Sequence, residues 1–169
     1  MPISPSEAMR RIGKPSGKQA LVGTIGAGAA ALLLATVAQW EGKRNEPYAD
    51  LVGKMTVCFG ETNVPMRRYS DAECEDMLGG SLTTYAKAVL GRNPELAGHP
   101  NQLAAAISLT YNIGVSAYWR STVARRFSAG DWRGACDAFL SWSYAGGRRV
   151  SGLLNRRKAE RAICLRGLA

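Results

Sequence analysis

The sequence predicts an α+β fold that is predominantly α-helical with one small β-hairpin, on three observations. The chain is 46% hydrophobic but only 8% aromatic and rich in Ala and Leu, which favours helices over sheets. Helix start and stop signals recur along its length, such as the capping box Ser70-Asp-Ala-Glu73. One short stretch, Met55-Thr-Val-Cys-Phe59, has the β-branched and aromatic content of a strand. At 169 residues the chain suits one domain of ordinary size, able to bury a core without metals or staples.

Residues 1–18 carry Arg10, Arg11, Lys14 and Lys18 among Pro2, Pro5 and Pro15, a basic arm with little expectation of helix. Residues 19–40 then contain no formal charge, about the ~20 residues a helix needs to cross a bilayer. The composition is weak for that role, because twelve of residues 20–38 are Gly, Ala or Thr. Three readings compete. A cleavable signal peptide could be cut after Thr36-Val37-Ala38, but the cut would strip away the helix that presents Glu41. A permanent anchor should contain fewer glycines than Gly23, Gly26 and Gly28. An ordinary buried helix is supported by Leu33, Val37 and Trp40 on one helical face. A helix that begins in the membrane and ends in the domain meets both sets of cues. The four basic residues before the run, against Lys43, Arg44 and Lys54 after it, would keep the N-terminus cytoplasmic.

After Glu41, Pro47 stops any helix and Gly53 supplies a turn into the 55–59 strand. The Ser70 box opens a helix bearing Met77, Leu78, Leu82, Tyr85 and Val89, closed by Gly91 and Pro94. Leu103, Ile107, Leu109 and Tyr111 mark the next helix, stopped by Gly114. Ser121 to Phe127 forms a short helix ending near Gly130, and Asp131 caps another that runs to Trp142. Ala145-Gly-Gly147 reads as a loop. A last helix has Leu153, Leu154, Ile163 and Cys164 on its apolar side.

Twenty-two Lys and Arg against thirteen Asp and Glu give a charge of +9, which favours a polyanionic partner such as nucleic acid, phospholipid or bacterial wall polymer. A nucleic-acid binder would gather its basic residues on one helix with aromatics between them. Arg148, Arg149, Arg156, Arg157, Lys158 and Arg161 come closest, and they read better as a solvated face or one that meets an anionic wall. Cys58, Cys74, Cys136 and Cys164 lack CxxC spacing, so neither a metal nor a redox dithiol is expected, nor is any cofactor. Two disulfides are permitted outside the cytoplasm; four buried small hydrophobes are equally compatible.

Cleaving a glycosidic bond requires one carboxyl group to protonate the leaving oxygen and a second to activate water or attack the anomeric carbon. Glu41 and Asp50 can form that pair. Partial desolvation at the end of an apolar helix favours the protonated acid at Glu41, whereas Asp50 lies on a wetter hairpin. Thr56, on the returning strand, can hold a water. Solvated surface acids are the plain alternative.

Glu41, eight residues, Asp50, five residues, Thr56, then Val-Cys-Phe-Gly60 resembles the catalytic signature of the phage-type muramidases, the T-even-like lysozymes of glycoside hydrolase family 24. Ala104–Gly114, Ser121–Arg125, Gly130-Asp-Trp132, Trp142–Gly147 and Gly152–Arg157 with Glu160 resemble its later blocks in order. The resemblance runs from about Trp40 to Arg166. It implies a two-lobed lysozyme-like fold with a small β lobe, a helical C-terminal lobe and a cleft between them.

In function, the resemblance implies a monomer that hydrolyses the β-1,4 link between N-acetylmuramic acid and N-acetylglucosamine in peptidoglycan with inversion, and no nucleic-acid partner. Glu41 would be the general acid, Asp50 would position or deprotonate the water, and Thr56 would help hold it. Tyr111 and Asn112 match sugar-contacting positions, with core packing the other reading of Tyr111. Arg156 matches an arginine that pairs with the catalytic glutamate, and such a pair favours the carboxylate against the desolvation above. Where many members read Gly-His, this chain has Gly60-Glu61-Thr62. Glu61 either bears on a neighbouring carboxyl group or points outward, and the general exposure of glutamate favours outward. His99 reads as a loop residue.

The N-terminal run resembles that of endolysins with a signal-anchor-release segment. The implied organisation is an arm and anchor over residues 1–40 and a catalytic domain over 41–169. Residues 20–40 would hold the enzyme in the host inner membrane facing the periplasm, then leave it, and residues 21–41 would become the first helix of a soluble periplasmic domain. No cysteine lies within 19–40, so extrusion of the helix is the expected switch. All four cysteines resemble positions used in that subgroup, which implies pairing Cys136 with Cys164 and Cys58 with Cys74. The competing class is a catalytically inactive basic protein that binds wall or membrane; intact Glu41, Asp50 and Thr56 argue against it.

Overall fold

The computed structural model describes residues 14–169; the basic arm with Arg10 and Arg11 lies, but for its last residues, outside them. The uncharged run forms two helices where one was expected. Helix α1 (Gly17–Ile25) starts within the stretch read as non-helical, because Ser16 and Gln19 form a capping box. Gly26 then adopts φ +84°, a conformation that glycine reaches without steric cost, and α2 (Ala27–Glu41) follows. Among the described residues no helix is long and apolar enough to cross a membrane.

Helix α1 is seated on the long helix α3 (Asp71–Arg92). A Cβ on Gly17 would stand 2.0 Å from the Asp76 carbonyl oxygen, and one on Gly79 would stand 2.8 Å from the Lys18 nitrogen. The Asp76 carboxylate accepts the N–H groups of Gly17 (3.1 Å) and Lys18 (3.0 Å), two donors that a helix start leaves without intrahelical partners. Burial pushes the Asp76 carboxyl up, but the Lys18 and Gly17 N–H groups prevail and hold it below the usual carboxylate value. Leu21, Ala30, Leu33 and Val37 join the same core as α3 and the later helices, so residues 17–41 are built into the same body.

Strands β1 (Arg44–Ala49) and β2 (Met55–Cys58) pair antiparallel, with Tyr48 opposite Thr56 and an irregularity between Arg44 and Tyr48. Both ends of this hairpin are fastened to the start of α3. Asn45 donates to Asp71 (2.8 Å) and to the Tyr69 carbonyl (2.9 Å), and Lys43 meets Asp71 at 2.6 Å. A Cys58–Cys74 disulfide ties the end of β2 to the first turn of α3. Cys58 has φ +59°, an uncommon conformation for a side-chain-bearing residue that the reversal after β2 imposes. The Ser70 capping box forms as expected. Arg67, the Ser70 N–H and the Ser70 hydroxyl hold the Glu73 carboxyl at about 2.

Helix α4 (Pro100–Ile113) runs through the middle of the body, with residues 102–110 all buried. Its polar members find partners: Gln102 donates to the carbonyls of Cys164 (2.5 Å) and Arg166 (3.0 Å), and Thr110 to that of Ala106 (2.7 Å). Gly114, at φ +89°, ends α4, and the chain at once re-enters a helix that no sequence signal marked, α5 (Val115–Arg120). Helix α6 (Thr122–Ser128) follows. Helix α7 (Trp132–Ala138) is capped by Asp131 and continues as a 3₁₀ turn over Phe139–Trp142. His99 sits at the start of α4, its ring 4.6 Å from that of Trp132.

Two sequence readings are corrected at the C-terminal end. The stretch around Ala145-Gly-Gly147 is a second hairpin, β3 (Tyr144–Ala145) with β4 (Arg148–Arg149). Gly146 and Gly147 both have positive φ, which a tight two-residue turn requires. In α8 (Ser151–Cys164) the buried face is mostly ionic: Arg156, Arg157 and Glu160 are buried together with Ile163 and Cys164, while Leu153 and Leu154 are half-buried. The basic cluster is therefore not one solvated face. Arg161 pairs with Asp137 at 2.6 Å, and a Cys136–Cys164 disulfide joins α7 to α8.

Candidate active site

Glu41 is the last residue of α2, where the helix runs out at Gly42, φ +62°. The helix end turns its carboxyl toward α8, and Arg156 Nη1 donates to Oε1 at 2.7 Å; the two side chains are 24% and 6% exposed. The ion-pair reading of Arg156 thus matches the geometry.

Asp50 sits on the β1–β2 turn and organises it. Its Oδ1 accepts the N–H groups of Val52 (2.9 Å) and Lys54 (2.8 Å), while its own N–H donates to the Lys54 carbonyl (2.9 Å). Thr56 is buried on β2 and its hydroxyl donates to the same carbonyl at 3.0 Å. Asp50 and Thr56 therefore meet at one carbonyl of a single hairpin, whose first strand begins three residues after Glu41.

Tyr111 and Asn112 lie at the C-terminal end of α4. Tyr111 is half-buried, with its ring 5.1 Å edge-on to Tyr85. Burial first, then the charges of Glu41 and Glu61, push its phenol well above the ordinary value, so the hydroxyl stays a donor. Asn112 is exposed and accepts from Arg157 Nη1 at 3.0 Å. Glu61 corrects the expectation that it points outward. The Val57–Glu61 bridge folds the chain back after β2, and Glu61 Oε1 accepts from the Ser81 hydroxyl of α3 at 3.0 Å.

Behind these residues lies a network that sequence reasoning missed. Glu160, fully buried, accepts at Oε1 from Ser108 Oγ (2.6 Å), Arg156 Nε (3.1 Å) and Arg157 Nη2 (3.0 Å). Its Oε2 lies 2.8 Å from Arg157 Nε, out of line for a hydrogen bond. Burial pushes the Glu160 carboxyl up and the Arg157 guanidinium down, each opposed by the other's charge. One signal for this was available: Arg156 and Arg157 stand four and three residues before Glu160, the spacings at which helix side chains meet. Ser108 carried no signal.

A concavity of about 560 Å³ lined by Lys18, Tyr69, Ala72, Glu73, Asp76 and Met77 lies on the seam between α1 and α3 and includes none of the candidate residues. The paired acid, and not the cavity volume, marks the site. Among the described residues no group of His, Cys, Asp and Glu could hold a metal.

Residues 38–160 match the phage lysozyme family model. The chain is 37% identical to the SAR-endolysin of Enterobacteria phage P21 over 164 residues, 90% of this chain and 98% of that one. It is 40% identical to the SAR-endolysin of Bacteriophage PS119 over 132 residues, 75% of this chain and 77% of that one. Among solved structures it is similar to a P22 lysozyme variant, with TM-score 0.69 and 29% identity over 79% of this chain and 94% of that one. The chain belongs to the phage lysozyme family and is a lysozyme, an enzyme that lyses peptidoglycan.

Proposed function

We propose that the chain is an endolysin muramidase that hydrolyses the β-1,4 bond between N-acetylmuramic acid and N-acetylglucosamine with inversion. Glu41 donates a proton to the leaving oxygen. Asp50 positions or deprotonates the attacking water, and Thr56 helps hold it, as an inverting pair of carboxyl groups requires. The observation that carries this reading is the 2.7 Å contact from Arg156 to Glu41, which supports an acid at the end of α2, three residues before the hairpin that bears Asp50 and Thr56. Tyr111 and Asn112 contact the sugar at the end of α4. The enzyme works as a monomer without nucleic acid.

In the same reading, residues 20–40 first hold an inactive enzyme in the host inner membrane, facing the periplasm, and the released enzyme is soluble in the periplasm. The support is the uncharged run of residues 19–40 together with the SAR-endolysin names of the relatives. Its release would allow α1 to seat on α3 and α2 to present Glu41.

Peptidoglycan solubilisation by the wild type and by Glu41→Gln tests the chemistry: equal activity in the two proteins sinks the assignment of the acid. The anomeric form of the first product, read by NMR, tests inversion. Fractionating cells before and after collapse of the membrane potential tests the anchor, and protein that is soluble throughout would refute it.

A further inference from the structure

We propose that Glu160 is a positioning residue for the hydrolysis: one buried carboxylate that aims Arg156 at Glu41 and Arg157 at Asn112. The inference rests on the reading of Glu41 as the general acid.

A guanidinium is a rigid plane with donors along its edges, so fixing one edge sets the direction of the others. Arg156 places Nε on Glu160 (3.1 Å) and Nη1 on Glu41 (2.7 Å). Arg157 places Nη2 on Glu160 (3.0 Å) and Nη1 on Asn112 (3.0 Å). Each arginine thus leans one edge on Glu160 and extends the other to a residue of the candidate site. The carboxylate is itself braced from the opposite helix, by Ser108 Oγ of α4 at 2.6 Å. Helix α4 also carries Asn112, so the brace sets the two sides of the site relative to each other.

Charge balance gives Glu160 a second effect. The two arginines are offset by Glu41 and Glu160, which lets the group sit inside the protein without an unpaired charge. Coulomb interactions add in pairs, so removing the charge of Glu160 leaves the corner around the Arg156–Glu41 pair one unit more positive, which moves the pH dependence of the site downward. The other groups that bear on this corner are Arg157 of α8, Tyr111 of α4 and Glu61 after β2.

The test compares kcat and KM on peptidoglycan, across pH, for the full chain carrying Glu160→Gln or Ser108→Ala, with melting curves to identify the folded variants. Glu160→Gln should lower kcat about 100-fold, the loss that a misplacement of ~1 Å brings, raise KM through Asn112, and move the alkaline limb of the rate profile to lower pH. Ser108→Ala removes the brace together with a hydrogen bond that favours the charged form of Glu160, and should produce a smaller loss and a smaller shift of the same sign. A folded Glu160→Gln enzyme whose alkaline limb stays in place overturns the proposal, whether or not its rate falls. If Glu160→Gln does not fold, an unmoved limb in Ser108→Ala overturns it. Glu41→Gln measured alongside separates the two readings. If that variant is active, the acid assignment fails, and this inference with it. If it is inert while the Glu160→Gln limb is unmoved, this inference fails alone.

Discussion

Helices α2 and α8 meet at the Glu41–Arg156 pair, and their compositions are opposite. Helix α2 bears no charge until Glu41, and buries Ala29, Ala30, Leu33, Thr36 and Val37. Helix α8 is strongly charged, yet Arg157 and Glu160 are both fully buried in it. Residue type therefore does not decide which helix face goes inside. An apolar side chain is buried for the water it sheds, whereas a charge can be buried only when its partners arrive with it. In α8 two partners come from the same helix and a third, Ser108, from α4.

The largest effect should come from the acid that α2 delivers. Glu41→Gln should lower the rate of peptidoglycan hydrolysis by about 10²–10⁴, the usual contribution of general acid catalysis, with the melting temperature largely kept. Next comes the ionic face of α8. Arg157→Met leaves Glu160 short of a buried partner and should destabilise by ~3–5 kcal/mol, read from the denaturant midpoint. Leu33→Ala, the matching break in α2, should cost about 2–4 kcal/mol by opening a cavity. If Arg157→Met costs less than Leu33→Ala, the contrast between the helices is weaker than their burial suggests.

Smaller effects are expected where α1 meets α3. Gly79→Ala drives a methyl group into backbone at 2.8 Å from the Lys18 nitrogen, where the neighbour cannot give way easily. A cost of ~1–3 kcal/mol is expected from such overpacking. The smallest effect concerns pH. The Asp76 carboxyl is held below its unfolded value by the N–H groups of Lys18 and Gly17, so its contribution is complete above the ordinary carboxylate value of ~4 and is lost as pH falls through the depressed folded value. Asp76→Asn should flatten the acid side of the melting temperature against pH, and an unchanged acid limb would remove Asp76 from the docking of α1.

Much of this was legible along the chain. The Ser70–Glu73 box, the stop at Gly114 and the first hairpin depend on neighbours a few residues away, and each formed. The resemblance carried by Glu41, Asp50 and Thr56 singles out residues that the structure sets on a helix end and one hairpin. What was not legible depends on distant partners. Glu61 turns inward because Ser81 of α3 is there to donate to it. The break falls at Gly26 and not at Gly23 or Gly28, which no neighbour along the chain distinguishes, and the buried charges of α8 depend on the arrival of Ser108 and Glu41. The helix at Val115–Arg120 was hidden because Gly114 reads as a stop whether the chain ends there or restarts.

Local rules, which act over one or two helical turns, determined where most elements begin and end and which acids stand near the first hairpin. Tertiary packing alone decided which charges are buried and which residue each guanidinium reaches. The reason is that a buried ion's free energy depends on atoms brought in from other segments, and these are close neighbours only after the chain has folded.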